Sequence, residues 1–204
     1  MTLDRRQVIL GAAALALAAG AARAAEDLSK LNEPPAHGEM ALGSADAKVT
    51  VIEYASASCP HCAEFYHKAY QSLKKDYIDT GKVRFLFREF PHNQAGLAAF
   101  MLARCAPKEK YFPLVDMFFE QQEMWLAAPQ DGLFKIAQLA GMTKDQFDAC
   151  LKNEEIAKGI IAERDRATDF FGIDGIPTIF VNGTKLDGEK TIEDMKKIID
   201  PLLG

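Results

Sequence analysis

Two cysteines, Cys59 and Cys62, are separated by Pro60 and His61 in the stretch SASCPHCAEF. A CxxC pair can hold a metal ion, attach haem or exchange a disulfide with other thiols. A structural zinc site needs about four ligands, usually two such pairs, and c-type haem needs His after the second Cys, where Ala63 stands. A disulfide across three residues stabilises little, because loop-closure entropy grows with loop length. The spacing therefore favours redox chemistry, with metal binding as the alternative.

The residues beside Cys59 predict an activated thiol. Pro60 is suited to the first position of a helix, which places Cys59 at or near the N-cap. Unpaired backbone N–H groups and the positive end of the helix dipole then lower the pKa of its thiol. A charged or hydrogen-bonding His61 imidazole lowers it further. Cys62 lies one turn inward on the same face, so we expect an exposed, acidic Cys59 and a sheltered partner.

The surrounding pattern predicts a parallel βαβ unit followed by a helical block. Residues 49–54 and 83–90 are strand-like, and a helical stripe between them runs through residues 59–80. No convincing strand occurs in residues 94–171, where we predict helices at 94–105, 110–122, 132–139, 144–151 and 154–171. Strands at 177–181 and 184–186 then flank an Asn182-Gly183 turn, and a helix capped by Thr191 runs to residue 203.

This order, βαβ, helical insertion, ββα, is that of a thioredoxin fold carrying an inserted all-helical domain. We divide the chain into a signal peptide (1–24), an extended N-terminal segment (25–48), a first half (49–93), the helical insertion (94–171) and a second half (172–204). The order alone is suggestive, and the CxxC beside a βαβ unit makes it specific.

With the CPHC motif, the Ile176-Pro177-Thr178 segment and the helical insertion, the chain resembles the DsbA family of thiol–disulfide oxidoreductases. The resemblance covers nearly all of the chain after residue 24. It implies that Cys59 is the nucleophile and Cys62 the resolving thiol. It also implies that Pro177, cis in the family, lies opposite the redox pair, and that Ile176 tunes contact with substrate. From the residues alone, a trans proline starting a strand is the simpler interpretation.

Glu53 interrupts an apolar strand six residues before Cys59. A charged side chain in a buried strand is costly unless it is paired or neutral. Similar proteins carry an acid beneath the redox pair, which implies that Glu53 relays a proton for Cys62. A solvent-facing or lysine-paired residue at the strand end is the alternative.

Cys105 and Cys150 each lie near the end of a predicted helix of the insertion. In an oxidising compartment the two remaining cysteines are expected to pair. The resemblance also implies this, because some members of the family carry an additional disulfide in the helical domain. Two buried free thiols are the alternative. We assign neither residue to catalysis, because a helix end lacks the dipole that activates Cys59.

Residues 1–24 have the layout of a secretory signal peptide. Arg5-Arg6 precedes an apolar run, and Ala22-Arg23-Ala24 fits a cleavage site. The arginine pair also resembles a twin-arginine signal, and an uncleaved anchor is the alternative. These residues carry a net charge of +2, so removing them changes the charge of the chain from −5 to −7. An acidic chain argues against nucleic-acid binding.

Together these features predict a periplasmic thiol:disulfide oxidoreductase that donates the Cys59–Cys62 disulfide to reduced secreted proteins. We expect no cofactor and no metal, a monomer, and a DsbB-type membrane oxidase as the partner that restores the disulfide. Two alternatives remain: a reductase or isomerase on the same fold, and a non-enzymatic Cu(I)-binding protein using the same thiols as soft ligands.

Overall fold

The computed structural model describes residues 28–186 and 191–204. Its described strands form one five-stranded mixed sheet in the order β1-β3-β2-β4-β5. The central pair, β2 and β3, is parallel, and the other neighbours are antiparallel. The strands are β1 (Met40–Leu42), β2 (Val49–Ala55), β3 (Val83–Glu89), β4 (Thr178–Val181) and β5 (Thr184–Lys185). This is the predicted α/β class, with the inserted helices packed on the sheet.

The predicted βαβ unit is present, and its connection is one helical stretch over residues 60–78. That stretch is built of α1 (Pro60–Phe65), a π-helical segment (Tyr66–Tyr70), α2 (Gln71–Leu73) and a second π-helical segment (Lys74–Ile78). The apolar stripe expected of it is buried against the sheet, through Phe65, Ala69, Leu73 and Tyr77. Parallel pairing in the register Val49 to Val83 and Ala55 to Glu89 brings the C-terminal ends of β2 and β3 to one edge.

The block between β3 and β4 is helical, as predicted. It contains α3 (Gln94–Cys105), α4 (Tyr111–Glu120), α5 (Gln122–Ala127), α6 (Pro129–Leu139), α7 (Lys144–Leu151) and α8 (Glu154–Phe171), with a short 3-10 helix (Lys108–Lys110) before α4. The capping box of Thr143 and Gln146 at the start of α7 is confirmed. The sequence did not predict α5, because its six residues are too few to show a helical period.

The second half of the thioredoxin fold, after the helical insertion, adds β4 and β5 to the sheet. Asn182 and Gly183 both have positive φ, at 45° and 84°, as the predicted type I′ turn between β4 and β5 requires. The last helix, α9 (Ile192–Leu203), begins at Thr191, whose side chain accepts a hydrogen bond from the backbone N–H of Asp194. Residues 187–190, between β5 and this cap, lie outside the described part of the chain.

The N-terminal segment contains more structure than the extended lead-in expected from sequence. A 3-10 helix (Leu28–Asn32) opens the described chain, and β1 pairs antiparallel with β3. A three-residue strand is too short to show an alternating pattern, which is why the sequence did not reveal it. The predicted signal peptide lies outside the described residues. Within residues 28–186 and 191–204, no helix is both long enough and apolar enough to cross a membrane.

Candidate active site

Cys59 lies at the N-terminal end of α1, as the sequence predicted. It is the N-cap residue, with extended backbone (φ −87°, ψ 122°), and Pro60 occupies the first turn. Its carbonyl oxygen accepts the first helical hydrogen bond, from the N–H of Ala63 at 3.1 Å. The position departs from the expectation in one respect, because only 7% of Cys59 is exposed. The neighbouring loops cover most of the nucleophile, so substrate must approach from a restricted direction.

The two thiols differ strongly in acidity. A hydrogen bond from Cys62, with smaller contributions from the backbone N–H groups of residues 61 and 62 and the charge of His92, outweighs burial and lowers the pKa of Cys59 to about 6. Burial raises the pKa of Cys62 well above its usual value, and the neighbouring Cys59 and Glu53 raise it further. Both cysteines are free thiols in this structure. The pair therefore suits a state with one thiolate and one thiol.

The imidazole of His61 is placed differently from the expectation. Its side chain is 80% exposed and lies 3.8 Å from the carboxylate of Glu64. The partner of the imidazole is therefore Glu64 and not the sulfur of Cys59. It is the backbone N–H of residue 61 that favours the Cys59 thiolate. The geometry thus assigns the effect at this position to the helix terminus, because the N–H groups of the first turn have no partners within the helix.

The Ile176-Pro177 bond is cis, and it lies directly beside the redox pair. The Cys59 thiol lies 3.7 Å from the carbonyl oxygen of Ile176, at hydrogen-bond distance for sulfur. Both Ile176 and Pro177 are half-buried, just before β4 begins at Thr178. The structure therefore brings the three residues together at the C-terminal edge of the sheet.

Glu53 lies inside the protein and not at a solvent-facing strand end. It is 3% exposed, and its register neighbours on both sides are apolar, Phe87 on β3 and Ile179 on β4. Alternation along β2 places it on the face of Val51 and Ala55, beneath the helical stretch. Burial raises the pKa of Glu53 to about 8, so its carboxyl group is largely protonated at neutral pH. Glu53 lies near enough to Cys62 to contribute to the raised pKa of that thiol.

Two side chains, one from the insertion and one just before it, hold the redox loop (residues 56–59, before α1), and the sequence analysis identified neither. The buried amide of Gln122, on α5, donates hydrogen bonds to the carbonyl oxygens of Ala57 at 2.8 Å and Cys59 at 3.0 Å. Asn93 caps α3 and accepts a hydrogen bond from the Ser58 hydroxyl at 2.9 Å. Asn93 could have been recognised from the sequence, because asparagine is a typical N-cap residue and stands just before α3. No local sequence pattern distinguishes Gln122.

The other two cysteines form a disulfide within the insertion. Cys105 at the end of α3 is bonded to Cys150 on α7, with a Cα–Cα distance of 6.0 Å. This bond joins two helices that also pack against one another. The disulfide therefore has the placement of a structural bond, because it links two helices that are far apart in sequence.

A buried ion cluster fixes the end of β3 next to the redox loop. The carboxylate of Glu89 accepts hydrogen bonds from Arg104 (2.9 Å) and Tyr111 (2.7 Å), and His37 lies 3.2 Å from it. Although burial alone would raise it, His37 and Arg104 hold the pKa of Glu89 down at about 2. Among the described residues, no group of three or more His, Cys, Asp or Glu side chains is arranged to hold a metal ion.

Comparison with known proteins identifies the fold and the family. A sequence model of the thioredoxin family matches residues 36–201. A Rickettsia bellii protein named "Putative protein-disulfide oxidoreductase" is 34% identical over 175 residues, covering 79% of this chain and 68% of the relative. A similarly named protein of Rickettsia typhi is 31% identical, and the match covers 62% of that protein's length.

Comparison with solved structures supports the same assignment. Alpha-DsbA1 of Wolbachia pipientis superposes with a TM-score of 0.79 at 31% identity, covering 86% of this chain and 96% of that one. The chain belongs to the DsbA branch of the thioredoxin family. BdbD of Bacillus subtilis shares the fold, with a TM-score of 0.69 at 22% identity. As a DsbA-type protein, this chain is a protein-disulfide oxidoreductase, and its helical block is the insertion expected in that fold.

Proposed function

We propose that this DsbA-type protein is an exported oxidase of protein thiols, which donates a Cys59–Cys62 disulfide to reduced secreted proteins. The observation that carries the proposal is the opposite shift of the two thiol pKa values, downward for Cys59 and upward for Cys62. A stabilised Cys59 thiolate favours the reduced protein. The disulfide form is then easily reduced, and so it is a strong oxidant.

The proposed reaction begins with the oxidised protein. A substrate thiolate attacks the Cys59 sulfur, a new S–S bond forms to the substrate, and the Cys59–Cys62 bond breaks. Cys62 leaves as a thiolate and takes up one proton, because its pKa is strongly raised. A second substrate thiolate then attacks the substrate sulfur of the mixed disulfide and releases Cys59 as a thiolate. Two substrate thiols thus become one disulfide, one proton remains on Cys62 and one passes to solvent.

Glu53, Ile176 and Pro177 have distinct parts in this proposal. Glu53 is the proton donor for the departing Cys62 thiolate, because its carboxyl group is protonated at neutral pH and lies beneath that sulfur. Ile176 and Pro177 form the surface against which substrate aligns, since the Ile176 carbonyl oxygen before the cis bond lies 3.7 Å from the Cys59 sulfur. Pro60 and His61 shape the helix terminus that favours the thiolate.

A redox titration tests the direction of the reaction. The Cys59–Cys62 pair is equilibrated with glutathione buffers, the thiols are trapped, and the reduced fraction is counted by mass. DsbA itself, at about −120 mV, is the reference for an oxidase, and thioredoxin, at about −270 mV, is the reference for a reductase. A value near the first supports the proposal. A value near the second contradicts it and indicates a reductase that needs a supply of electrons.

Substrate trapping tests which cysteine reacts. In Cys62→Ser, Cys59 is first converted to its mixed disulfide with glutathione. The thiolate of a reduced peptide with one cysteine then displaces glutathione as a thiolate, and we expect a stable Cys59–peptide disulfide, because neither Cys62 nor a second peptide thiol is present to release it. Cys59→Ser is the matched control and should trap none. Tight stoichiometric Cu(I) binding by the wild-type protein, without oxidation of a dithiol peptide, would instead support the metal-binding alternative.

Export and reoxidation complete the proposal. Residues 1–24 are proposed to direct the protein to the periplasm, where a DsbB-type membrane oxidase restores the disulfide. Fractionation of cells that produce the full chain, compared with a chain lacking residues 1–24, tests the location. Retention of the full chain in the cytosol would contradict it.

A further inference from the structure

A narrow cavity lies between the sheet, the helical stretch 60–78 and α4. Its volume is about 10 Å³, which is room for about one water molecule. Most of its wall is apolar, contributed by aromatic rings of β3 and α4. Four polar side chains line it as well: Glu53 from β2, Tyr66 and Tyr70 from the π-helical segment, and Asp116 from α4. A confined water needs two to four polar partners, and this lining provides them.

The two carboxyl groups stand at different depths. Glu53 is almost completely buried, on the side of Cys62. Asp116 is only half-buried, at the solvent side of α4, and burial raises its pKa to about 6. Tyr66 and Tyr70 line the same cavity, and their rings are stacked at a centroid distance of 5.4 Å. The lining of the cavity therefore includes one buried acid and one acid that is partly exposed to solvent.

Glu53 has few routes by which to exchange a proton with solvent. Its side chain makes no hydrogen bond to any described residue, and its two strand neighbours, Phe87 and Ile179, are apolar. The titratable groups that face it are Cys62 and the two tyrosines from the helical stretch, and Asp116 from α4. A carboxyl group that gives its proton to a departing thiolate must regain one before the next cycle, and the polar lining of the cavity provides the path.

We propose that this cavity carries a proton between solvent at Asp116 and the carboxyl group of Glu53. In the balanced step, the O–H bond of Glu53 breaks and the S–H bond of Cys62 forms. A water in the cavity then returns a proton to Glu53, and Asp116 replaces it from solvent, with no electrons transferred along the path. Asp116 acts through Glu53 and is therefore a positioning residue. The inference rests on the proposed function, which supplies the proton demand at Cys62.

The test compares two acids of the same helix, one turn apart. Asp116→Asn removes the solvent-side acid of the cavity. Glu120→Gln is the matched control, because Glu120 is exposed, accepts a hydrogen bond from Tyr66 at 3.2 Å and does not line the cavity. The steady-state rate at which each protein oxidises a reduced dithiol peptide, with glutathione disulfide in excess to restore the Cys59–Cys62 disulfide, is measured from pH 5 to pH 9, together with its reduction potential.

We expect Asp116→Asn to turn over roughly tenfold more slowly at pH 7, which is less than the roughly 10²–10⁴-fold of direct general acid–base catalysis, because Asp116 acts through Glu53. Its potential should be unchanged, because the path affects how fast the proton moves and not where it ends. The gap should close above pH 8, where Glu53 no longer holds a proton to give. Glu120→Gln keeps an acceptor for Tyr66 and leaves Asp116 in place, so its rate should stay close to that of the wild type at pH 7.

A second variant tests whether the open space in the cavity is required. Val115→Ile adds one methylene to the cavity wall and leaves every titratable group in place, so it should slow the reaction in the same pH range. Wild-type rates in both Asp116→Asn and Val115→Ile would overturn the inference, as would equal slowing by Glu120→Gln. Failure of the proposed function looks different, because the wild-type protein itself would then not oxidise the peptide.

Discussion

The side-chain amide of Gln122 lies 3.0 Å from the carbonyl oxygen of Cys59 and donates a hydrogen bond to it. The same amide donates to the carbonyl of Ala57 at 2.8 Å. A short helix of the insertion therefore holds both sides of the redox loop. In this way the helical block fixes the backbone of the nucleophile at the end of α1.

Gln122→Leu should weaken this hold. Two buried carbonyl oxygens lose a donor, so we expect the free energy of unfolding to fall by about 1–3 kcal/mol. We also expect the pKa of Cys59 to rise, because a looser N-terminus aims fewer backbone N–H groups at the sulfur. Denaturant unfolding and the pH dependence of thiolate absorbance measure the two effects. The exposed neighbour Glu123→Ala should change neither; a loss of stability with the thiol pKa unchanged would limit Gln122 to a structural role.

The pH dependence of the reduction potential should change slope near pH 6. The thiolate of Cys59, whose pKa falls from 9.0 to about 6, stabilises the reduced protein, and this stabilisation is lost as the pH falls through 6. Above pH 6 reduction takes up one proton, at Cys62, and the potential should fall by about 30 mV per pH unit. Below pH 6 it takes up two, for about 60 mV per unit. A single slope from pH 5 to pH 7.5 would contradict the assignment.

The Cys105–Cys150 disulfide should contribute stability and not catalysis. It links residues 45 apart in sequence, and closing a loop of that length in the unfolded chain is worth up to roughly 4 kcal/mol in the entropy model. The double variant Cys105→Ala/Cys150→Ala should unfold at lower denaturant concentration and still oxidise a dithiol peptide. Loss of peptide oxidation in a folded double variant would show that the second disulfide has a redox role.

Arg104 should be far more important for stability than an exposed arginine. Arg104→Met leaves the fully buried carboxylate of Glu89 without its main ionic partner, which typically costs about 3–5 kcal/mol. Arg164→Met is the matched control, because its ion pair with Asp165 is exposed and such pairs contribute about 0–1 kcal/mol. Urea unfolding of both variants at pH 7 measures the difference. An equal loss of unfolding free energy in the two variants would contradict the proposal that the buried cluster contributes more to stability than an exposed ion pair.

The same cluster sets a pH limit on stability. The folded pKa of Glu89, about 2, lies below its usual value of 4.5, so its contribution is complete above pH 4.5 and is lost as the pH falls through 2. In Glu89→Gln that part of the acid dependence should be missing. Unfolding curves between pH 2 and pH 5 for the two proteins check it, and parallel curves would contradict it.

Much of the architecture followed from local sequence. The CxxC beside a strand and Pro60 at a helix start predicted where the nucleophile lies, since helix termini depend on nearby residues. The turn at Asn182-Gly183 and the caps at Thr143 and Thr191 were predicted for the same reason. The sequence predicted the long helices, which show a clear hydrophobic period. It did not predict α5 or β1, because so short an element contains too few residues to show a period.

What the tertiary structure alone decided is which distant groups meet. The sequence placed an acid at residue 53, but only the packing of α4 and the helical stretch showed that Glu53 shares a cavity with Asp116. Likewise, only the fold brings Gln122 to the Cys59 carbonyl and leaves the His61 ring in solvent. Periodicity and capping report on residues within a few positions of one another, whereas burial and electrostatic contacts depend on chain segments that approach only when the whole domain folds.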